Sequence, residues 1–256
     1  MNGTLITELG SLPHLETLFF SDNNLHGTIP TEFEKLTRLE SLVLQKNSLS
    51  GMIPEIWDKL KKISVLGMAW NYFTGTIPST LSQVSKLEML QLGANQLTGT
   101  LPAFPTGLEH FYLASNMLTG SLPTSYANLT MLKTLVVGSN ELTGTLPSEY
   151  GVLSRLTSLH VISNSLNGTL PTEYGLLTNL NLFRASSNEL TGTLPTELGL
   201  LERAEGVYLN WNDFVGTIPS ELGNLDRLKE LRIDGSKLTG TVPILAASVG
   251  TLWTPL

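Results

Sequence analysis

Asparagine recurs at a fixed step along this chain, and that periodicity limits the possible folds more than any other property of the sequence. Asn23, Asn47, Asn71, Asn95, Asn116, Asn140, Asn164, Asn188 and Asn212 lie 24 residues apart, except for the 21 between Asn95 and Asn116, and Ser236 takes the tenth place. One phrase surrounds them all, as in Leu87-Glu-Met-Leu-Gln-Leu-Gly-Ala-Asn95-Gln-Leu-Thr-Gly-Thr-Leu-Pro102. Leu90 and Leu92 flank one outward residue, the period of a short strand with a single buried face. Gly99 and Pro102 then turn the chain. In Pro147-Ser-Glu-Tyr150-Gly-Val-Leu153 the apolar residues stand three apart, which predicts a helical turn or short helix leading back to the next strand.

A unit of this length has one layer and no opposing face, so it cannot bury its own leucines. Stacking supplies the missing face: each coil covers its neighbour's leucine layer while the strands pair in parallel. The asparagine at each strand end is expected to satisfy backbone groups where the chain bends. Left without partners, a buried amide would cost roughly 1–3 kcal/mol.

The pattern L-x-x-L-x-L-x-x-N-x-L-x-G-x-[I/L]-P over residues 3–243, with Gly-x-[I/L/V]-Pro from Gly27–Pro30 through Gly240–Pro243, resembles the plant-type leucine-rich repeat of receptor-like and secreted ectodomains in plants and algae such as diatoms. The resemblance implies an α/β repeat fold: a right-handed solenoid with a concave parallel β-sheet, a second minor sheet near the Gly-x-Ile-Pro phrase, and short convex helices or turns. It also implies binding of proteins, peptides or small signalling molecules, without catalysis or a cofactor.

The expected organisation is one solenoid over residues 1–256, with 1–12 a partial first repeat, 13–243 about ten repeats and 244–256 a degenerate C-terminal end. Only Ala103–Gly107 separate Pro102 from Leu108, so the helical turn should be lost there, with a local change of curvature. After Pro243, Ala246, Val249, Leu252 and Pro255 stand where Leu222, Leu225, Leu228 and Leu231 stand one unit earlier, and the last strand is not expected to complete. Neither end carries a clear polar cap, as in a piece of a longer protein.

Several function classes are excluded early. Lys plus Arg number 15 against 22 Asp plus Glu, a net charge of −7, which argues against nucleic acid as a partner. Cysteine is absent, removing disulfides, thiolate metal sites and a cysteine nucleophile together. No stretch of about 18 apolar residues could span a bilayer, and the first twenty residues, with Glu8 and Glu16, lack the basic cluster of a signal peptide. No P-loop, G-x-S-x-G, H-E-x-x-H or kinase signature occurs, and an even repeat does not converge dissimilar groups as catalysis requires. His14, His26, His110 and His160 read as surface residues, and Glu8, Glu32, Glu149, Glu173, Glu197 and Glu221 as a solvated convex ridge; no metal site is expected.

Specificity is expected where the sequence varies on an unvarying frame. Between the two strand leucines the column runs Phe19, Val43, Gly67, Gln91, Tyr112, Val136, His160, Arg184, Tyr208, Arg232; three residues on it runs Asp22, Lys46, Trp70, Ala94, Ser115, Ser139, Ser163, Ser187, Trp211, Gly235. Phe19, Trp70, Tyr112, His160, Arg184, Tyr208, Trp211 and Arg232 are the candidate binding residues of the concave face, since Trp and Arg are the usual anchors. Six strand spacings of about 4.8 Å part Trp70 from Trp211, roughly 29 Å, which suits an extended peptide or a glycan. A secreted inhibitor of a foreign enzyme would use the same face. A third reading rests on the Thr-Gly-Thr phrases, such as Thr143–Thr145 and Thr191–Thr193: stacked at strand spacing, they would form a flat array able to bind ice or a mineral surface. Asn2, Asn128 and Asn167 stand in Asn-x-Thr acceptor sequences for N-glycosylation, the last two on expected convex or edge loops, and favour an extracellular or cell-surface location.

Overall fold

A computed structural model describes residues 1–241 together with the backbone of Thr251–Trp253. The chain divides into two compact units, Met1–Thr119 and Gly120–Leu256. Each is a stack of coils bearing two rows of parallel strands, so the repeat is a solenoid as its periodicity requires.

The major row of the first unit runs through Thr17–Phe19, Ser41–Val43, Val65–Gly67, Met89–Gln91 and His110–Tyr112. In the second unit it runs through Thr134–Val136, Ser158–His160, Leu182–Arg184, Gly206–Tyr208 and Glu230–Arg232. Numbered in chain order these are rungs one to ten. Pairing follows the repeat, so Leu135 faces Leu159, Phe183 faces Val207 and Val207 faces Leu231. Leu42, Leu66, Leu90, Leu135, Leu159 and Leu231 have no exposed surface. Burying a side chain of that size contributes about 1.5–3 kcal/mol, and each layer is buried by the next coil.

An eleventh strand, Thr251–Trp253, pairs with Glu230–Arg232, placing Leu252 beside Leu231 and Trp253 beside Arg232. That corrects the expectation of an incomplete last strand: the open edge of rung ten offers unpaired backbone groups, and Thr-Leu-Trp has the β-branched and aromatic character that suits a strand. Ala246, Val249 and Pro255 lie outside the described residues.

The asparagine ladder forms as expected, and it joins the two strand rows. The Asn188 amide nitrogen donates to the carbonyls of Val161 at 3.0 Å, Ala185 at 3.2 Å and Ser186 at 3.2 Å, while its oxygen accepts the N–H of Leu166 at 3.0 Å. Asn47, Asn71, Asn164 and Asn212 bond in the same way.

The minor row differs in register. Its strands pair with an offset of 22 residues where the repeat is 24: Thr74 faces Gln96, Thr145 faces Asn167 and Thr169 faces Thr191. Each strand is thus slid two residues against its predecessor. Equivalent threonines are therefore not opposite one another but diagonal, displaced by about 6–7 Å along the strand as well as one strand spacing across it. The array at strand spacing forms in shifted register: the second threonine of one phrase faces the first of the next, as Thr76 faces Thr98, Thr169 faces Thr191 and Thr217 faces Thr239, while Asn167 interrupts it opposite Thr145. A close fit accompanies the slide: a Cβ on Gly168 or Gly192 would lie 2.9 or 2.8 Å from the methyl carbon of Thr145 or Thr169 in the preceding coil, and both glycines take left-handed φ of 76° and 78°.

Away from the strand rows every helical segment among the described residues is 3-10, not α. Thr31–Lys35, Ser148–Val152, Thr172–Leu176 and Thr196–Leu200 are examples, each five residues long, too short to repay α-helix nucleation. The shortened repeat has none between Pro102 and Leu108, as its missing residues predict.

Candidate functional site

Alternation in the major row sends the leucines inward and leaves the residue after each facing out, so the sequence columns become real columns on the protein. In the second unit His160 pairs with Arg184, Arg184 with Tyr208 and Tyr208 with Arg232. Four candidate residues predicted from sequence are thereby brought side by side, one per rung.

Tyr208 is the centre of this group. The guanidinium carbon of Arg184 lies 4.8 Å from its ring centroid and that of Arg232 lies 5.7 Å away, both within cation–π range. The hydroxyl of Tyr208 donates to Glu230 at 2.6 Å, and the same carboxylate takes the Nε–H of Arg232 at 2.6 Å. Hydrogen bonds from Tyr208 and Arg232 hold the Glu230 carboxyl below its ordinary range. Burial and the neighbouring Glu230 raise the Tyr208 phenol, so the ring stays neutral and its hydroxyl stays a donor.

Space for the ring comes from Gly206. A Cβ there would lie 2.7 Å from Cε2 of Tyr208 and 2.8 Å from a methyl of Leu182, so the tyrosine lies back across its own strand. At the other end, His160 is half-buried, with a ring nitrogen 3.2 Å from the Ser158 hydroxyl. Burial, with a smaller effect from the positive charge of Arg184, lowers its pKa to about 4, leaving a neutral imidazole at physiological pH.

Trp211 leaves rung nine in a left-handed turn at φ 56°, a conformation costing a bulky residue roughly 1–2 kcal/mol, and keeps 62% of its surface exposed. Its ring rests on the next coil, where a Cβ on Gly235 would lie 2.9 Å from Cε3.

The first unit holds the other three candidates. Phe19 on rung one and Trp70 after rung three are 62% and 64% exposed, with Trp70 in the same left-handed turn at φ 58°. Tyr112 on rung five is half-buried and stacks on His110 in its own strand, the centroids 6.4 Å apart. Between rungs two and four, Gln45 and Gln91 hydrogen-bond across Gly67. The repeat pattern does not single out Glu230, Ser158 or Gly206. Only the position of Glu230, one residue before the strand leucine beside a Tyr-Arg pair of the next column, could have pointed to it.

The glycosylation candidates Asn2, Asn128 and Asn167 are all exposed, Asn128 at the end of the 3-10 segment Thr124–Asn128. Asn167 lies in the minor-row strand Ser165–Thr169, not in a loop, because the Gly-Thr that completes its acceptor sequence is the strand's own repeat phrase. Among the described residues no three His, Asp or Glu gather to hold a metal ion, and no helix is long and apolar enough to cross a membrane.

Comparison with known proteins agrees with the architecture. Family models described as leucine-rich repeat match residues 13–73 and 107–129. No curated protein sequence matches the chain. Among solved structures, the plant peptide hormone receptor RGFR1 in complex with RGF2 superposes with a TM-score of 0.91 at 29% identity, over 95% of this chain and 39% of that one. A TDR receptor gives 0.90 at 33% identity, over 94% of this chain and 42% of that one. A plant ice-binding protein gives 0.78 at 29% identity, over 96% of this chain and 80% of that one. The chain thus spans about two-fifths of the receptor structures it matches. With its repeat phrase, asparagine ladder and paired strand rows, it belongs to the leucine-rich-repeat proteins of the plant type.

Proposed function

We propose that the chain is a non-enzymatic recognition module of an extracellular or cell-surface protein, receptor-like or secreted, which binds an extended peptide or protein segment across the outward face of its major strand row. The observation that supports this reading is the cluster centred on Tyr208. Two guanidinium groups packed against one ring, with Glu230 fixing both the hydroxyl and Arg232, are already ordered, so little side-chain entropy is lost when a ligand lands. Arg, Tyr and Trp are also the residues that most often anchor an interface. Trp211 stands at the same end of the face, and the serines Ser139, Ser163 and Ser187 in its column leave room for a ligand backbone. Phe19, Trp70 and Tyr112 are candidate contacts on the first unit's own outward face. The receptor likeness supports a peptide ligand, and the exposed Asn2 and Asn167 acceptor sequences suit an extracellular protein.

Peptides selected from a random display library against the immobilised chain provide the test. Tyr208→Ala and Arg232→Ala should each weaken the selected peptides by about tenfold or more, the size expected of anchor residues. Undiminished binding to both variants would overturn the reading.

A second reading, adsorption to ice, is favoured by the likeness to the plant ice-binding protein, of which this chain covers 80%. The slide of the minor row leaves facing threonine pairs such as Thr169 and Thr191, and what stands against the reading is their interruption where Asn167 lies opposite Thr145. Thermal hysteresis of the chain, abolished by Thr169→Tyr and unchanged by Tyr208→Ala, would establish it.

A further inference from the structure

Beside the Tyr208 cluster, the turn that follows rungs nine and ten contains two acceptors with no donor. The side-chain oxygens Oδ1 of Asn210 and Asp234 are buried and make no hydrogen bond among the described residues. Asn210 retains 9% of its surface. The two residues are neighbours in the ladder: Tyr208 pairs with Arg232, and the N–H of Trp211 donates to the carbonyl of Asp234 at 2.9 Å. One strand spacing of about 4.8 Å separates their backbones. Buried oxygens without donors are rare in native proteins because each forfeits its hydration without replacement, at a greater cost when the group carries charge.

Both atoms accept and neither donates, so the missing partner is a donor, and beside a carboxylate it is best a cation. An ammonium group has three donors and no acceptor. Trp211 adds a third feature, since its ring rests on Gly235, the residue after Asp234, and leaves most of its surface open to a cation. Nearby charge does not oppose this, because Arg232 is held by Glu230 at 2.6 Å and, in the adjoining minor row, Lys237 by Asp213 at 3.1 Å.

We propose that Asn210, Asp234 and Trp211 form a subsite for an ammonium group, that of a lysine side chain in the bound peptide. The ammonium donates to the two Oδ1 atoms as the Trp211 ring shifts on Gly235 to admit it, and its alkyl stem packs along the indole. The identity of the ligand rests on the peptide reading above; the chemistry of the subsite does not.

The test needs no peptide. N-acetyl-lysine methylamide is titrated into the whole chain while the Trp211 indole resonance, assigned with Trp211→Phe, is followed by NMR. Saturable shifts with a Kd on the order of 1–10 mM are expected, as fits a small fragment. Asp234→Asn, which keeps the side-chain shape, should weaken binding about tenfold while the thermal transition stays in place. The single-residue probe reads this subsite alone, whereas the peptide reading is tested by library peptides against Tyr208→Ala and Arg232→Ala, so the two failures are distinguishable. No saturable shift, an equal response to N-acetyl-norleucine methylamide or to cellobiose, or full binding by Asp234→Asn would each overturn the assignment.

Discussion

The two strand rows are written by the same 24 residues, yet one stacks like on like and the other does not. In the major row Arg184, Tyr208 and Arg232 face one another and become a cluster. In the minor row Thr145 faces Asn167 rather than Thr169, and threonines meet only where the two positions of the phrase cross, as Thr169 meets Thr191. The lesson is that sequence periodicity fixes which residues recur, whereas the hydrogen-bonding frame between coils decides which of them meet. At the joint between the rows stands the asparagine. The backbone N–H of Leu166, which begins the core of a minor strand, bonds to the side chain of Asn188 rather than to a main-chain carbonyl, and pairing resumes two residues out of phase.

That account is most directly broken at the joint itself. Asn188→Ala would strip the donor shared by the carbonyls of Val161, Ala185 and Ser186 and the acceptor used by Leu166, all in the half-buried turn. Urea unfolding should show a loss of about 3–5 kcal/mol, from more than one polar group left unsatisfied. A loss under about 1 kcal/mol would mean that the backbone re-pairs without the side chain and that the slide has another cause.

The 3-10 segments carry a comparison of the same kind. In the second unit they pack so closely that a Cβ on Gly175 would stand 2.6 Å from the carbonyl oxygen of Glu197 in the next coil. The first unit holds both kinds: a Cβ on Gly10 would stand 2.5 Å from the carbonyl oxygen of Glu32, whereas the matching slots of the next two coils hold Glu34 and Asp58, within Thr31–Lys35 and Trp57–Lys59, where a side chain fits. Gly175→Ala should therefore destabilise by about 1–3 kcal/mol, the usual cost of overpacking, while Glu34→Ala stays within about 0.5 kcal/mol. Equal small effects in thermal unfolding would show that the coils of the second unit separate freely.

How much of this was legible beforehand follows from the same distinction. The leucine layers, the asparagine ladder, the strand positions and the lost turn after Pro102 all depend on which residues recur, and the sequence states that openly. The columns containing His160, Arg184, Tyr208 and Arg232 were readable for the same reason, because major-row register equals the repeat. The slide of the minor row was not, since it arises from a side-chain amide replacing a carbonyl. Nor was the part of Glu230 or of Gly206, whose effects come from side chains reaching across rungs. The short helices look like helix or turn in sequence, and only their length of five residues or fewer settles them as 3-10.

Within the major row, His160 gives a pH signature that sharpens the contrast. Its pKa falls to about 4 in the fold against 6.5 for an unperturbed ring, through burial first and Arg184 second. The unfolded chain therefore takes up a proton that the native protein refuses, and stability present above pH 6.5 is lost as the pH falls toward 4. Allowing for solvent screening of a half-exposed ring, the loss is about 1–2 kcal/mol. Wild type and His160→Gln compared in urea at pH 7 and pH 4.5 should differ by that amount in their pH dependence. Identical slopes would mean that the imidazole is open to water and the column looser than its register implies.

The smallest effect distinguishes what threonine does in the minor row. The methyl of Thr193 lies where a Cβ on Gly216 would meet it at 2.9 Å, and Thr193 is exposed. If the methyl sets the fit between coils, Thr193→Val keeps it and should change stability by no more than about 0.5 kcal/mol. Thr193→Ser removes one methyl group, worth up to about 0.8 kcal/mol if fully buried and less at this exposed edge. The expected order, serine less stable than valine, assigns the repeated threonine to packing over glycine. The reverse order in matched thermal melts would assign it to its hydroxyl and return the threonines to consideration as a working surface.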